Sequence, residues 1–124
     1  MKRMFKWVIA AFAAILLAGS LTACSNAASV DIKTYQAIID VRTPQEFATG
    51  HLDGAINIDI QGIAFASAVD ALDKSANYFV YCHSGNRAGQ AITYMANAGF
   101  TGTLTNGGGV DAASAATGLQ IVNN

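Results

Sequence analysis

Residues 78–87 read Tyr-Phe-Val-Tyr-Cys-His-Ser-Gly-Asn-Arg and carry the clearest structural pattern in the chain. The four β-favouring residues at 78–81 predict a buried strand that ends at Cys82. A turn follows at 83–86, and apolar residues then recur on one face of a helix: Ala88, Ile92, Met95 and Ala96. Gly99 is placed to end that helix in a left-handed cap. The pattern therefore predicts a thiol at the point where a strand passes into a helix.

Strands and helices are predicted to alternate on both sides of this segment. Apolar runs indicate three further strands, at 37–41, 55–58 and 101–105. Three further helices are indicated: a short one that begins at Thr43-Pro44-Gln45-Glu46 and stops by Gly50, and two over 62–72 and 110–116. Such alternation implies parallel strand pairing through right-handed crossovers, and so a single-domain α/β fold with a helix-covered, mainly parallel sheet. Reactive groups are expected at the carboxyl ends of the strands, where Cys82 lies.

The first 23 residues have the composition of a secretory signal peptide. Lys2, Arg3 and Lys6 give a positively charged start, and residues 7–18 form a nearly unbroken apolar run that small residues follow. This run is shorter than the roughly 20 apolar residues that a membrane-spanning helix needs. An uncleaved membrane anchor is therefore the weaker alternative.

The end of this segment, Leu21-Thr22-Ala23-Cys24, resembles the bacterial lipobox. The resemblance implies that Cys24 becomes the N-terminal residue and carries a lipid, and two or more acyl chains anchor a protein stably to a membrane. Residues 24–29 would be a short tether. The resemblance implies a protein anchored in the cell envelope. Because Ser25 follows Cys24, and not the Asp that usually signals retention, it implies the outer membrane in a Gram-negative host, where the protein would face the periplasm. In another host it would face the extracellular side.

The charge of the mature chain argues against nucleic acid as a partner. Without residues 1–23 the chain has 101 residues, with four basic residues against eight acidic ones and a net charge of −4. No basic patch is left to neutralise phosphates. The length suits one domain, which we place at 30–118, with a C-terminal tail at 119–124.

The cysteine count leaves one free thiol if Cys24 is lipidated. A secreted domain usually pairs its cysteines, so a lone Cys82 indicates a reactive thiol or an intermolecular partner. A disulfide between Cys24 and Cys82 is the alternative. Two scattered histidines do not make a metal site, and we expect neither a metal nor an organic cofactor.

Three effects act together on the predicted strand–turn–helix segment at Cys82. The unpaired amides at a helix N-terminus point at an incoming anion, and the helix dipole favours a thiolate over a thiol. Arg87 adds a permanent cation near the loop. Gly85 allows backbone angles that a side chain would forbid. The competing interpretation is that Cys82 is only a small buried apolar residue.

Four motifs in order resemble a rhodanese domain. They cover 39–47 (IDVRTPQEF), 50–58 (GHLDGAINI), 81–87 (YCHSGNR) and 106–110 (NGGGV). The family resemblance implies an α/β domain in which a cysteine thiolate takes up a sulfane sulfur and becomes a persulfide. It implies a small sulfur-containing anion such as thiosulfate as the donor. The acceptor would be cyanide, a thiol or a partner protein.

The resemblance also assigns roles by position. Cys82 matches the catalytic nucleophile, and the loop that holds the transferred sulfur matches His83, Ser84, Gly85, Asn86 and Arg87. Asp40 and Arg42 match residues that brace this loop. For Arg42 and Glu46 we expect an i, i+4 ion pair. His51 looks structural.

Two other functions are compatible with a Cys-loop-Arg turn. A phosphatase or arsenate reductase of this fold has five residues between Cys and Arg, whereas only four separate Cys82 from Arg87. The backbone amides of this shorter loop form a smaller ring, which suits one sulfur atom better than a tetrahedral phosphate. A sulfur carrier or binding module without independent turnover is the second alternative.

Overall fold

Strands and helices alternate along the part of the chain that the computed structural model describes, residues 29–124. A 3-10 turn at Ile32–Thr34 precedes β1 (Ala37–Asp40), α1 (Pro44–Thr49), β2 (His51–Leu52), β3 (Ile56–Asn57), α2 (Phe65–Asp70), β4 (Tyr78–Tyr81), α3 (Asn86–Asn97), β5 (Leu104–Asn106), α4 (Val110–Thr117) and β6 (Ile121–Val122). The predicted signal peptide, Cys24 and residues 24–28 of the predicted tether lie outside the described residues. No helix within residues 29–124 combines the length and apolar character that crossing a membrane requires.

The main sheet has four strands in the order β3-β1-β4-β5, and all three pairings are parallel. β1 and β4 lie in register along their whole length, from Ala37 opposite Tyr78 to Asp40 opposite Tyr81. Their carboxyl ends are therefore level with each other. The predicted helix-covered, mainly parallel α/β fold is confirmed.

Side chains alternate between the two faces of this sheet, and each face has its own core. One core contains Val80 and Cys82 together with apolar residues of α2 and α3, among them Val69 and Met95. The other contains Phe79 and Tyr81 with Leu52 of β2 and Ala113 of α4. The central strands are buried on both faces, which explains why they read as continuous apolar runs.

A separate two-stranded pair joins the end of the chain to its middle. β2 and β6 are antiparallel, with His51 opposite Val122 and Leu52 opposite Ile121. The segment 119–124, which we expected to be a tail, therefore contains a paired strand. The predicted strand at 101–105 begins later, at Leu104, and ends at Asn106.

Candidate active site

The sulfur of Cys82 lies where β4 ends, and main-chain groups hold it. The Cys82 N–H donates to the carbonyl of Gly108 at 2.9 Å, and Sγ accepts a hydrogen bond from the Gly85 N–H at 2.9 Å. The residue is 0 % exposed. The structure thus buries the thiol but supplies it with a polar partner, which a purely apolar cysteine would lack.

Gly85 is the residue that turns the chain from the loop into α3. Its φ is 92°, in the left-handed region that favours glycine. A Cβ at this position would also lie 3.2 Å from the Cα of Gly108. Gly85 is the N-cap of α3 and has no capping side chain. The N–H groups of Asn86, Arg87 and Ala88 follow in the first helical turn, where an α-helix offers them no internal acceptor.

Of the three glycines at 107–109, Gly108 and Gly109 pack against the active loop, and Gly107 packs against β4. A Cβ at Gly109 would overlap the carbonyl oxygen of His83, and one at Gly107 would overlap the ring of Phe79. Gly109 has φ −84°, so the lack of space and not the backbone conformation requires glycine there. The sequence pattern predicted these glycines as the opening of a helix. It did not predict their contact with the loop.

Arg87 is paired with Glu46 of α1. Nη1 and Nη2 of Arg87 lie 2.8 and 2.9 Å from Oε1 and Oε2 of Glu46, in a bidentate arrangement. This arginine, together with Thr43, lowers the pKa of Glu46 to about 2. Arg87 is therefore an oriented cation whose charge a carboxylate partly balances, and it bridges the active loop to α1.

The expected ion pair between Arg42 and Glu46 is wrong. Arg42 donates instead to Asp40, with Nη2 2.7 Å from Oδ2, and to the carbonyl of Gly50 at 2.6 Å. The i, i+4 rule requires both residues on one helix, but α1 begins at Pro44 with Thr43 as its N-cap. Arg42 lies before that helix and turns back toward its own strand.

Asp40 and Arg42 are both buried, at 0 % and 4 % exposure, and their ion pair lies at the carboxyl end of β1. The next residue, Val41, joins this end of β1 to β4: its N–H donates to the carbonyl of Tyr81 at 3.1 Å, one residue before Cys82. The pair thus lies at the end of the strand beside the one that carries the cysteine, and its support of the active loop stays a prediction.

Tyr81 ties β4 to β2 on the other face of the sheet. Its hydroxyl accepts a hydrogen bond from the Leu52 N–H at 3.0 Å. Burial raises the pKa of Tyr81 well above its ordinary value, so the hydroxyl stays protonated. This contact between residues 29 positions apart has no signature in the sequence.

The other predicted site residues divide into exposed and structural ones. The side chains of His83, Ser84 and Asn86 are exposed on the loop, where they are accessible to a ligand. His51 is buried, stacks on Phe47 with ring centroids 3.6 Å apart, and has Nδ1 2.8 Å from the Phe47 carbonyl. Its structural role agrees with the expectation. Within residues 29–124, no three His, Cys, Asp or Glu side chains cluster as a metal site would require.

A shallow cleft of about 550 Å³ adjoins the loop on the surface of α3 and is lined by Gly85, Asn86, Gly89, Gln90 and Thr93. A second cleft, of about 260 Å³, lies among residues 33–36 and 75–77. The second cleft is at the amino end of β4, opposite the end that carries Cys82. Of these two clefts, the first adjoins the active loop, at Gly85 and Asn86.

Proteins of similar sequence are named thiosulfate sulfurtransferases. Thiosulfate sulfurtransferase PspE of Escherichia coli is 36% identical over 70 residues, which are 56% of this chain and 67% of the relative. Thiosulfate sulfurtransferase GlpE of Pseudomonas aeruginosa PAO1 is 34% identical over 74 residues, 60% of this chain and 66% of the relative. The chain thus spans about two thirds of the length of these relatives.

Solved structures of rhodanese proteins are also similar to this chain. A structure described as "rhodanese with anions from E. coli" superposes with a TM-score of 0.58 and 31% identity, covering 71% of this chain and 98% of that one. A rhodanese-related protein from Thermoplasma volcanium superposes with a TM-score of 0.61 and 26% identity, covering 79% of this chain and 100% of that one. The family model described as "Rhodanese-like domain" matches residues 23–116. With a cysteine at the end of the fourth strand and the parallel sheet around it, the chain belongs to the rhodanese-like family.

Proposed function

We propose that the protein is a sulfurtransferase that moves a sulfane sulfur from a donor such as thiosulfate to cyanide or a thiol through a persulfide on Cys82. The observation that carries this proposal is the hydrogen bond from the Gly85 N–H to Sγ of Cys82. It places a main-chain donor at the atom that must bear negative charge before and after transfer. The names of the relatives, thiosulfate sulfurtransferases, support the same chemistry.

The reaction has two steps. The Cys82 thiolate attacks the sulfane sulfur of thiosulfate; an S–S bond forms to Cys82 while the S–S bond of thiosulfate breaks, and its electron pair leaves with sulfite. Cyanide then attacks the outer sulfur, thiocyanate departs, and the electron pair of the broken S–S bond restores the thiolate. Covalent catalysis of this kind predicts ping-pong kinetics. No net oxidation or reduction and no further reactant is needed.

The loop is suited to an anionic donor and a small transferred group. The first-turn amides of α3 provide donors at a helix N-terminus, and the solved Escherichia coli rhodanese is described as containing anions. The persulfide adds a second sulfur about 2 Å from Sγ, a smaller group than a phosphate. The four-residue spacing from Cys82 to Arg87 therefore favours sulfur transfer over phosphate ester hydrolysis.

The complete burial of Cys82 favours one second candidate, a sulfur carrier. In that role the persulfide would be delivered only to a partner protein whose docking opens the loop. Both functions share the first step. They differ in whether a small acceptor gains access to the outer sulfur.

The test is an assay of thiosulfate and cyanide on the full chain. We expect repeated thiocyanate release, activity lost in Cys82→Ser, and activity retained in Cys24→Ser, which removes the other cysteine of the chain. A single persulfide per chain without thiocyanate turnover would identify the carrier. Hydrolysis of an aryl phosphate without persulfide formation would identify a phosphatase.

We further propose that the protein is anchored by lipid in the cell envelope. The support for this is the sequence of residues 1–24, with its charged start, short apolar run and lipobox-like end. A small anionic donor and a thiol or cyanide acceptor would then meet the enzyme in the periplasm or outside the cell.

A further inference from the structure

We propose that Asn106 is a positioning residue for the sulfur chemistry, an inference that rests on the proposed function of Cys82. Asn106 ends β5, and its carboxamide bridges the two loops that meet at the cysteine. Nδ2 donates to the carbonyl of Gly85 at 3.0 Å, and Oδ1 accepts from the N–H of Gly108 at 2.9 Å. The partners fix the orientation of the amide, because a carbonyl only accepts and a peptide N–H only donates.

Both partners of Asn106 bear directly on Cys82. Gly85 donates its N–H to Sγ, and Gly108 accepts the N–H of Cys82 through its carbonyl. Asn106 therefore attaches one side chain to the residue that holds the sulfur and to the residue that holds the cysteine backbone. No other side chain in the described part of the chain makes hydrogen bonds to both of these glycines.

Both glycines need an external support for their conformation. Gly85 has φ 92° and Gly108 has φ 76°, and neither has a side chain that packing could hold. Glycine is the residue with the largest conformational freedom, so its orientation depends on the hydrogen bonds that it receives. The carboxamide also packs against Gly85, since a Cβ there would lie 3.5 Å from Oδ1 and 3.9 Å from Nδ2. The Gly85 carbonyl also accepts from the Gly89 N–H at 3.0 Å, which fixes Gly85 to α3. Asn106 adds the hydrogen bonds that tie Gly85 to Gly108, so its loss should loosen the contact that holds the Gly85 N–H toward the sulfur.

Asn77 provides a matched control within the same sheet. Its carboxamide also joins two backbone segments, because Nδ2 donates to the Thr34 carbonyl at 3.1 Å and Oδ1 accepts from the Thr103 N–H at 2.7 Å. It precedes β4, whereas Cys82 follows it. Asn77→Leu therefore removes the same kind of bridge at the far end of the strand.

The experiment compares Asn106→Leu, Asn106→Asp and Asn77→Leu in the full chain. The first readout is the pH dependence of Cys82 alkylation by iodoacetamide, and the second is the rate of single-turnover persulfide formation from thiosulfate. The charged groups that interact with one another beside Cys82 are Arg87, Glu46 and Asp40. The titratable side chain of His83 follows Cys82 in the loop. All four side chains remain in every variant.

For Asn106→Leu we expect the alkylation midpoint to rise by about half to one pH unit and persulfide formation to slow about threefold to tenfold, with a smaller change in KM. Asp at 106 accepts from Gly108 but cannot donate to Gly85 when ionised, and its negative charge also disfavours the thiolate, so Asn106→Asp should raise the midpoint at least as far as the leucine variant. In Asn77→Leu we expect a lower melting temperature and an unchanged midpoint.

An alkylation midpoint in Asn106→Leu equal to that of the wild type would overturn the inference. So would an equal shift in Asn77→Leu. The alkylation readout does not depend on sulfur transfer. A wild-type protein that is inert to thiosulfate but shows the shift in Asn106→Leu would reject the proposed function and retain the positioning role.

Discussion

Arg87 and Glu46, 41 positions apart, form a bidentate ion pair with N–O distances of 2.8 and 2.9 Å. Arg87 belongs to the active loop at the start of α3, and Glu46 belongs to the first turn of α1. The pair therefore joins the loop that contains Cys82, which follows β4, to a helix that follows β1. Its chemical consequence is that the arginine of the active loop is held in one orientation.

Replacing Glu46 by Gln should reduce the loss of folding stability that occurs at acidic pH. The carboxyl has a pKa of about 2 in the folded protein, below its ordinary value of 4.5. A depressed pKa contributes stability that is present above pH 4.5 and is lost as the pH falls toward 2. Thermal unfolding measured from pH 2 to 7 should show this loss in the wild type and less of it in Glu46→Gln.

The arginine supplies the control for this measurement. Arg87→Gln should remove the larger part of the same acid-range dependence, while the part due to Thr43 remains, and the double variant should show no more acid-range dependence than Glu46→Gln alone. Since about a third of the Glu46 side chain is exposed, added salt should reduce the effect. Identical acid-range curves for the wild type and Glu46→Gln would contradict the prediction.

Adding a methyl group at Gly109 should separate the two loops. A Cβ there overlaps the carbonyl oxygen of His83, so Gly109→Ala must displace the active loop. We expect a loss of about 1–3 kcal/mol in unfolding free energy. Thiocyanate formation should fall by about tenfold or more, measured in the same assay. Gly102→Ala is the control, because a Cβ there overlaps the carbonyl oxygen of Ala76 near the amino end of β4, away from Cys82; an equal loss of activity in both variants would count against the loop contact.

Removing the hydroxyl of Tyr81 should cost stability without affecting turnover. Tyr81→Phe leaves the buried N–H of Leu52 without its acceptor, which destabilises by about 1–3 kcal/mol. Turnover should stay within about twofold, because Tyr81 and Cys82 point to opposite faces of the sheet. Denaturant unfolding and the thiocyanate assay measure the two quantities.

Tyr78→Phe is the matched variant for this comparison. The Tyr78 hydroxyl donates to the carbonyl of Asp73, an exposed residue, so water replaces the lost donor more easily. Its loss of stability should be smaller. A larger loss in Tyr78→Phe than in Tyr81→Phe would contradict the assignment.

Lipid attachment at Cys24 is tested by growth of the expressing bacterium with labelled palmitate. We expect label on the wild-type chain and on Cys82→Ser, and none on Cys24→Ala, because a thiol at 24 is required for the modification that the lipobox resemblance implies. Label on Cys24→Ala at the wild-type level would remove the proposed anchor.

The strands and helices that lie in the core could be predicted from the sequence because their residues carry a local pattern. β1 and β4 are continuous apolar runs, and α1 begins with Thr43 and Glu46, which form a capping box in the structure. β2 and β6 could not be predicted, since two residues are too few to show a period. Their pairing joins segments about 70 positions apart.

The residues of the candidate site could be predicted from the sequence, but most of their contacts could not. The position of Cys82 at a strand end followed from the apolar run before it. The partner of Arg87 did not, because tertiary packing alone brings α1 to the active loop. The prediction for Arg42 was wrong because helical spacing was applied to a residue that precedes the helix. The bridge through Asn106 joins two glycine residues, and glycines show no pattern that would identify a partner.

The packing of Gly109 against His83 has a consequence for how this protein tolerates mutation. Peptide groups donate the hydrogen bond to the sulfur and accept the one from the Cys82 N–H, so replacing the neighbouring side chains by alanine leaves both bonds in place. The largest losses of activity should instead come from substitutions that add a Cβ to a glycine at this contact. Homologous chains that carry a larger residue at this position should therefore differ in the length or path of the facing loop as well.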